Sequence, residues 1–285
     1  MARVDWRLNK DMKLAEMELE RDTEEQCMSQ DNCIFLARTG SQMYGTNTIN
    51  SDDDFTGIYI ASPDYSYGLK KCELVEYRAN KVNSSKRNSA GDVDVNLYSL
   101  YKYVTLALNN NPNILEFLYV PDNCILQTSK YYNMLRDNRQ LFLSKKVYQS
   151  FRGYAHSQRS RVMRSGNNLG RKELIKEHLY DTKMMSHNIR LYLECMQLLN
   201  EGTITLPLPE RKMVVQIKRG EWKLEEVLKK SDELSDSCTR LYENTRLPDT
   251  PDFEGVNKLL MNIQEEYWGI EYKGKGKRKK IFGIW

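Results

Sequence analysis

An α+β fold is predicted for this chain, with a small mixed sheet and helices in the first part and an all-helical C-terminal half. The chain has 285 residues, of which 40% are hydrophobic and 29% charged, a composition typical of an ordinary globular protein of one or two domains. Runs rich in β-branched and aromatic residues stop at about Val120, and long segments of helical periodicity follow. We therefore predict one domain at 1–121 and a helical domain with a basic C-terminal tail at 122–285.

Each element follows from its local sequence pattern. The segment 9–30 is rich in Glu, Lys, Met and Leu and contains neither Gly nor Pro, which predicts an N-terminal helix. The polar stretch 79–91 predicts a surface loop. Strands are predicted at 33–39, 55–62, 72–78 and at the start of 92–100. Helices are predicted at about 98–108, 147–162, 172–199, 224–242 and 253–268.

Composition argues against several classes of protein. No apolar stretch reaches the roughly 18 residues that span a bilayer, and the N-terminal segment lacks the apolar core of a signal peptide, so we expect a cytoplasmic protein without a membrane partner. The six cysteines show no CxxC spacing, which argues against a zinc site. Much of the net charge of +4 lies in Lys273–Lys280, a tail that either contacts RNA phosphates or only keeps the chain soluble.

The stretch RTGSQMYGTNTINSDDDFTGIYI contains a candidate site for anions and metal ions. Gly40 and Ser41 follow the first predicted strand, so their backbone N–H groups and the hydroxyl are placed to hold an anion at a turn. Asp52 and Asp54 lie two residues apart, and the period of a strand puts both carboxylates on one face, with Asp53 on the other. Two such carboxylates repel each other unless a cation lies between them, and their oxygens suit Mg²⁺.

The same residues are also ordinary turn and capping chemistry, because Ser and Asp commonly cap helices and Gly-Ser pairs are common in loops. In the order strand, turn, helix, strand, however, an anion-binding turn next to two carboxylates is the arrangement that positions a nucleoside triphosphate for attack on its α-phosphorus. We therefore favour the catalytic interpretation of the combined pattern.

A second candidate group lies on the predicted helix YDTKMMSHNIRLY. Lys183, His187 and Arg190 are spaced i, i+4 and i+7, so they share one face and predict a positive strip for phosphates. Such strips are usually solvated, but this helix is apolar nearly all round and is therefore expected to be internal. His187 is alternatively a satisfied core residue. Tyr154 and Gln158, one turn apart on an earlier helix, either line the cleft or only pack against it.

These motifs resemble those of a known family. The segment GSQMYGTNTINSDDDFTGIYI is similar to the G-S-x-x-Y-G-T…S-D-x-D-x-x-G-I signature of the DNA polymerase β-like nucleotidyltransferases, specifically their RNA-repair-associated branch, which is found with RNA ligases and in phages. Four further segments resemble that branch in the same order: NNNPNILEFLYVP, FRGYAHSQ, YDTKMMSHNIRLY and IKRGEWKLEEV. The resemblance spans most of residues 31–265. It implies a polymerase-β-like palm for the first domain and, if the protein is phage-encoded, a location in the host cytoplasm.

The resemblance also implies roles for the residues of the first candidate site. Gly40 and Ser41 are expected to hold the triphosphate. Asp52 and Asp54 are expected to bind two catalytic Mg²⁺ ions, for which Mn²⁺ can substitute. The family uses a third carboxylate on a neighbouring strand, which acts on the attacking hydroxyl.

We assign this third catalytic and metal-binding role to Asp94, with Asp92 as the alternative because it shares the same strand face. Tyr44 and Thr46 match the signature and are expected to belong to the nucleotide site. Lys183, His187 and Arg190 are expected to contribute to nucleotide binding from the helix that carries them.

The activity that the resemblance implies is transfer of a nucleoside monophosphate from an NTP to a hydroxyl with release of pyrophosphate. The association of the family with RNA repair makes an RNA 3′ end, such as that of a damaged tRNA, the first expectation for the acceptor. Nucleotidylation of a protein or small molecule is an alternative, and so is a non-catalytic module that binds nucleotide or RNA. The sequence leaves self-association open.

Overall fold

The structure, a computed structural model, describes residues 32–48, 51–79, 93–164, 175 and 177–270. Several sequence predictions fall outside these residues. They are the N-terminal helix at 9–30, most of the loop at 79–91, Asp92, and the basic tail from Lys273 onward.

The predicted small mixed sheet is confirmed, with five strands in place of the four that the sequence indicated. Its strands are β1 (Cys33–Arg38), β2 (Asp53–Tyr59), β3 (Leu74–Ala79), β4 (Val93–Ser99) and β5 (Ile125–Thr128). They lie in the order β3-β4-β2-β1-β5. Strands β2 and β4 are parallel, and the other neighbouring pairs are antiparallel. The parallel pair lies at the centre of the sheet, and its two strands carry the aspartates of the candidate site.

Strand β5 corrects the prediction that strands end at about Val120. It pairs with β1 at the edge of the sheet, where the Gln127 side chain donates a hydrogen bond to the carbonyl oxygen of Cys33 at 2.6 Å. Three of its four residues are partly buried and Thr128 is exposed, so they lack the alternation that marks a longer strand. The chain on both sides of residue 121 therefore contributes to one sheet, and the proposed domain division stays a prediction.

Helices make up most of the described chain after β5. The helices, in chain order, are α1 (Gly40–Tyr44), α2 (Pro63–Ser66), α3 (Leu100–Leu108), α4 (Pro112–Leu115), α5 (Lys130–Asp137), α6 (Lys146–Arg164), α7 (Thr182–Glu201), α8 (Arg211–Lys218), α9 (Leu224–Asn244) and α10 (Phe253–Trp268). The helices predicted at 98–108, 147–162, 224–242 and 253–268 are confirmed to within about one turn. None of the helices in the described ranges combines the length and apolar character that crossing a membrane requires.

The helix predicted over 172–199 is interrupted just before α7. Leu179 has a φ of 69°, in the left-handed region, and Asp181 caps the new helix by accepting a hydrogen bond from the Met184 backbone N–H at 3.0 Å. An aspartate at this position satisfies one of the free N–H groups of a helix start, which is why the chain begins a helix at Thr182. Lys183 consequently lies in the first turn of α7.

Helix α7 lies at the centre of the helical half and packs against α6, α8 and α9. Its sides are buried nearly all round, as its composition predicts. The hydrophobic core continues from the sheet into these helices without a break. Where the two parts meet, the rings of Phe35 and Tyr132 stack with their centroids 3.9 Å apart. The helices thereby hold α7 next to the carboxylate edge of the sheet.

Candidate active site

A tight turn after β1 brings the backbone against the Asp54 carboxylate. The Thr39 N–H donates to the Asp54 carbonyl at 2.8 Å, and Gly40 follows with a φ of 59°. A Cβ atom at Gly40 would lie 2.1 Å from Asp54 Oδ2, so only glycine allows this approach. The next residue, Ser41, has a buried hydroxyl with no hydrogen-bond partner among the described residues. The turn thus presents an unused polar group beside a carboxylate.

The aspartates divide between two faces as the strand period predicts. Asp52 and Asp54 line one cavity, whereas Asp53 points to the other face, where its Oδ1 is 3.8 Å from Arg38 Nε. Asp94 is the partner of Asp54 in the parallel register of β2 and β4, so the two side chains lie next to each other on one face. Asp52, Asp54 and Asp94 therefore lie at the same edge of the central strand pair.

The electrostatics of Asp54 reflect this crowding. Burial, and then repulsion from Asp52, raise the pKa of Asp54 to about 6, against an attraction from Lys183 that lowers it. Asp94 adds a smaller repulsion in the same direction. The raised pKa means that the ionised form of Asp54 is disfavoured in the folded protein, and a bound cation would stabilise that form.

Two lysines bring positive charge to the aspartates. Lys183 Nζ lies 3.7 Å from Asp52 Oδ1, and the lysine side chain is 45% exposed. Lys218, at the end of α8, donates hydrogen bonds to the Thr46 carbonyl at 3.1 Å and to Ser51 Oγ at 3.3 Å, and it lines the same cavity. Sequence reasoning missed Lys218. The one available signal was its place at the end of a short amphipathic segment, just before an Arg-Gly-Glu turn.

Arg190 lies in a buried ion network. Its Nη1 atom donates to Glu116 Oε2 at 2.9 Å and to Glu194 Oε1 at 2.8 Å. Its guanidinium stacks 3.8 Å above the centre of the Tyr44 ring, and the Tyr44 hydroxyl donates to Glu116 at 2.6 Å. Arg190 borders the cavity, but two carboxylates already neutralise it. The expected contact with phosphate stays a prediction, and the network favours a structural role for this residue.

The neighbouring His187 is neutral at physiological pH. Burial, followed by the charges of Arg190 and Lys183, lowers the pKa of His187 well below its usual value. Its Nε2 is buried without a hydrogen-bond partner in the described part of the chain, and its ring lies edge-on to Tyr154 with centroids 4.9 Å apart. Of the three residues in the predicted strip, His187 is therefore uncharged, Arg190 is paired with two buried carboxylates, and Lys183 faces Asp52. Their contribution to nucleotide binding stays a prediction.

A cavity of about 300 Å³ collects these groups. Of the predicted site residues, it is lined by Gly40, Ser41, Tyr44, Thr46, Asp52, Asp54, Lys183, His187 and Arg190. Asp94 does not line it but adjoins it beside Asp54. Gln158 also lines the cavity, which decides between the two interpretations left open for it. The lining residues that the sequence did not indicate are Met184, Ser186, Val214 and Lys218.

The donor set fits Mg²⁺ bound together with a nucleotide. Among the described residues, no three His, Cys, Asp or Glu side chains are grouped closely enough to hold a metal ion by themselves. Magnesium usually takes one or two carboxylates and completes its shell with water and substrate phosphates. Asp52 and Asp54, next to the Gly40-Ser41 turn and two lysines, supply such a partial set.

Comparison with known proteins identifies the family. The family model described as RlaP, the RNA repair pathway DNA polymerase beta family, matches residues 9–262. The chain belongs to this family. The match covers the sheet, the carboxylate edge and all of the helices that surround the cavity. The description of this family, which names the DNA polymerase β type and RNA repair, agrees with the nucleotidyltransferase resemblance seen in the sequence.

Two individual proteins are similar to parts of this chain. A protein of Enterobacteria phage T4, described as the "Uncharacterized 38.9 kDa protein in nrdC-mobD intergenic region", is 30% identical over 133 residues, which is 46% of this chain. The matched part spans only 38% of that phage protein. A solved nucleotidyltransferase-like protein from Exiguobacterium sibiricum has 13% sequence identity and a TM-score of 0.27, with 83% of this chain and 72% of that chain covered. Nothing about function follows from so distant a likeness.

Proposed function

We propose that this protein transfers a nucleoside monophosphate from an NTP to the 3′ hydroxyl of an RNA, with tRNA as the first candidate acceptor. The observation that carries the proposal is the placement of the Gly40-Ser41 turn, Asp52 and Asp54 in one cavity. These are the parts needed to hold a triphosphate and to neutralise charge at its α-phosphorus.

The protein's own residues have separate tasks in this reaction. The Gly40-Ser41 turn holds the triphosphate, and Lys183 and Lys218 attract its negative charge. Asp52 and Asp54 hold the Mg²⁺ ions. When bound, these ions supply charge neutralisation on the phosphates and on the attacking oxygen.

In the chemical step, the acceptor oxygen forms a bond to the α-phosphorus while the bond from that phosphorus to the pyrophosphate oxygen breaks. The proton of the acceptor hydroxyl passes to a carboxylate. Asp94, which lies beside Asp54, takes this role. Pyrophosphate leaves with the electron pair of the broken bond.

The family's connection with RNA repair supports an RNA acceptor. The experiment incubates the protein with Mg²⁺, total tRNA and each of the four α-³²P-labelled NTPs in turn, and resolves the products on a denaturing gel. We expect one NTP to label RNA. Asp52→Asn should abolish labelling, whereas Asp53→Asn, the adjacent aspartate on the opposite strand face, should retain it. Label on protein alone would replace the RNA acceptor, and NTP binding without transfer would leave only a nucleotide-binding module.

A further inference from the structure

The cavity changes character along α7. Lys183, in the first turn, faces Asp52 and belongs to the charged part of the site. His187 comes one turn later, about 6 Å further along the helix axis. There the lining contains a neutral imidazole in place of a charged group, because the pKa of His187 lies well below its usual value. A bound triphosphate would therefore lie near the charged groups Lys183 and Asp52 at one turn of α7, and near an uncharged polar group at the next turn.

Gln158 lines the same cavity from α6. Its side chain is only 5% exposed, and no hydrogen bond joins its amide to the described part of the protein. The two helices are held in register beside it, since the Asn188 side-chain amide donates to the Ala155 carbonyl at 2.8 Å. Gln158 lies one turn after Ala155, and His187 directly precedes Asn188. The register thus fixes which residues of the two helices border the cavity together.

Buried polar groups without partners are costly, and the His187 Nε2 atom is such a group. The Gln158 amide, which no hydrogen bond holds within the described part of the protein, lines the same cavity, so the two side chains together indicate a ligand that supplies hydrogen bonds. An amide offers both donors and an acceptor, and a neutral imidazole offers one of each. These are the groups that recognise the edge of a nucleobase. A phosphate would be better met by Lys183 and Lys218, which line the same cavity.

We propose that Gln158 and His187 bind the nucleobase of the incoming nucleotide and determine which NTP the enzyme uses. This inference rests on the function proposed above. Tyr154 lies one turn before Gln158, and its ring packs edge-on against the imidazole of His187. It is a positioning residue for the pair.

The test measures equilibrium binding of ATP, GTP, CTP, UTP and inorganic tripolyphosphate to the full chain in Mg²⁺, by calorimetry and without acceptor. We expect the wild-type protein to bind one NTP at least about tenfold more tightly than the other three. Gln158→Met keeps the length of the side chain but removes the amide. It should therefore weaken binding of the preferred NTP about tenfold, while the affinity for tripolyphosphate changes by no more than about twofold. His187→Leu should act in the same direction.

Gln149→Met is the matched control, because Gln149 lies on the same helix, is exposed, and is outside the cavity. It should leave all five affinities unchanged. Unaltered NTP preference in Gln158→Met would overturn the inference, and so would an equal loss for tripolyphosphate or a wild type without preference. A change only in the choice between NTP and dNTP would mean that the pair contacts the ribose, which also overturns it. Selective binding without transfer to any acceptor would uphold this inference and overturn the proposed function.

Discussion

Asp54 is the aspartate of the site whose ionised form is disfavoured by its surroundings. Its pKa of about 6 in the folded protein compares with 3.8 for a free side chain, chiefly because of burial and the charge of Asp52. Because the pKa of Asp54 is higher in the folded than in the unfolded state, the protonated carboxyl favours folding. Its contribution to the free energy of unfolding is fully present only below the pKa of the unfolded state. The favourable contribution is lost as the pH rises from about 4 through about 6, where Asp54 ionises in the folded state.

Asp54→Asn should therefore stabilise the metal-free protein while it abolishes transfer. The gain in the free energy of unfolding should be about 3 kcal/mol above pH 7, because the shift of about two pKa units is removed. Urea unfolding in EDTA between pH 4 and pH 8 measures it. Asp53→Asn, whose carboxylate faces Arg38 instead, is the control and should show no such gain. A loss of stability in Asp54→Asn at neutral pH would show that the carboxylate is structural.

Gly40 gives a second prediction for a single residue. Gly40→Ala should destabilise the fold by more than about 1 kcal/mol, because φ is positive and the new Cβ would meet the Asp54 carboxylate. It should also abolish transfer, since relief of the clash would move Asp54 or the turn. Gly153→Ala is the matched control within α6, where a Cβ meets nothing within 4 Å and a gain of up to about 1 kcal/mol is expected. Thermal unfolding and labelled transfer measure both. Full activity in Gly40→Ala would contradict the described approach of the turn to Asp54.

At the scale of one element, α7 shows what spacing can and cannot predict. The period of a helix placed Lys183, His187 and Arg190 on one face, and all three line the cavity as expected. The pairing of Arg190 could not be predicted, because its partner Glu116 lies 74 residues earlier in the sequence. Burial by other helices likewise decided the pKa of His187. A helix face therefore indicates which residues meet, whereas tertiary partners decide what each of them does.

The α7 residues predict two different mutant phenotypes. Arg190→Met should lower the free energy of unfolding by about 3 to 5 kcal/mol, since it leaves Glu116 and Glu194 buried without their cation. Lys183→Met should cost less than about 1 kcal/mol because Lys183 is partly exposed, but it should weaken tripolyphosphate binding about tenfold. Urea unfolding and calorimetry on both variants separate the roles. A stable Arg190→Met protein with weakened tripolyphosphate binding would instead make Arg190 a phosphate ligand.

Across the whole molecule, the helical half completes a site that the sheet begins. The Leu208 N–H donates to the Tyr44 carbonyl at 3.2 Å, and Lys218 bonds the Thr46 carbonyl from 172 residues away in the chain. The signature of glycine, serine and aspartates was readable because it is local. Lys218 was not, since its place beside Thr46 depends on how α8 packs. Strand β5 escaped prediction for the same reason, because pairing with β1, rather than its own four residues, makes it a strand.

Lys218→Ala should lower kcat/KM for transfer about tenfold. It removes a positive charge from the cavity and releases the segment that leads to Asp52, at a cost of about 1 kcal/mol in stability. Arg219→Ala is the control, since the Arg219 side chain is 60% exposed and outside the cavity. Steady-state kinetics of labelled transfer compare the two variants. Equal effects of both substitutions would mean that Lys218 contributes only general positive charge.

The most direct test of the account compares ATP, or whichever NTP the protein prefers, labelled with ³²P at the α or at the γ position. With Mg²⁺ and tRNA, we predict that the α label enters the acceptor, that the γ label appears only in pyrophosphate, and that EDTA or Asp52→Asn stops both. Label from the γ position in the acceptor would show phosphoryl transfer instead and would contradict the assignment of this cavity to nucleotidyl transfer.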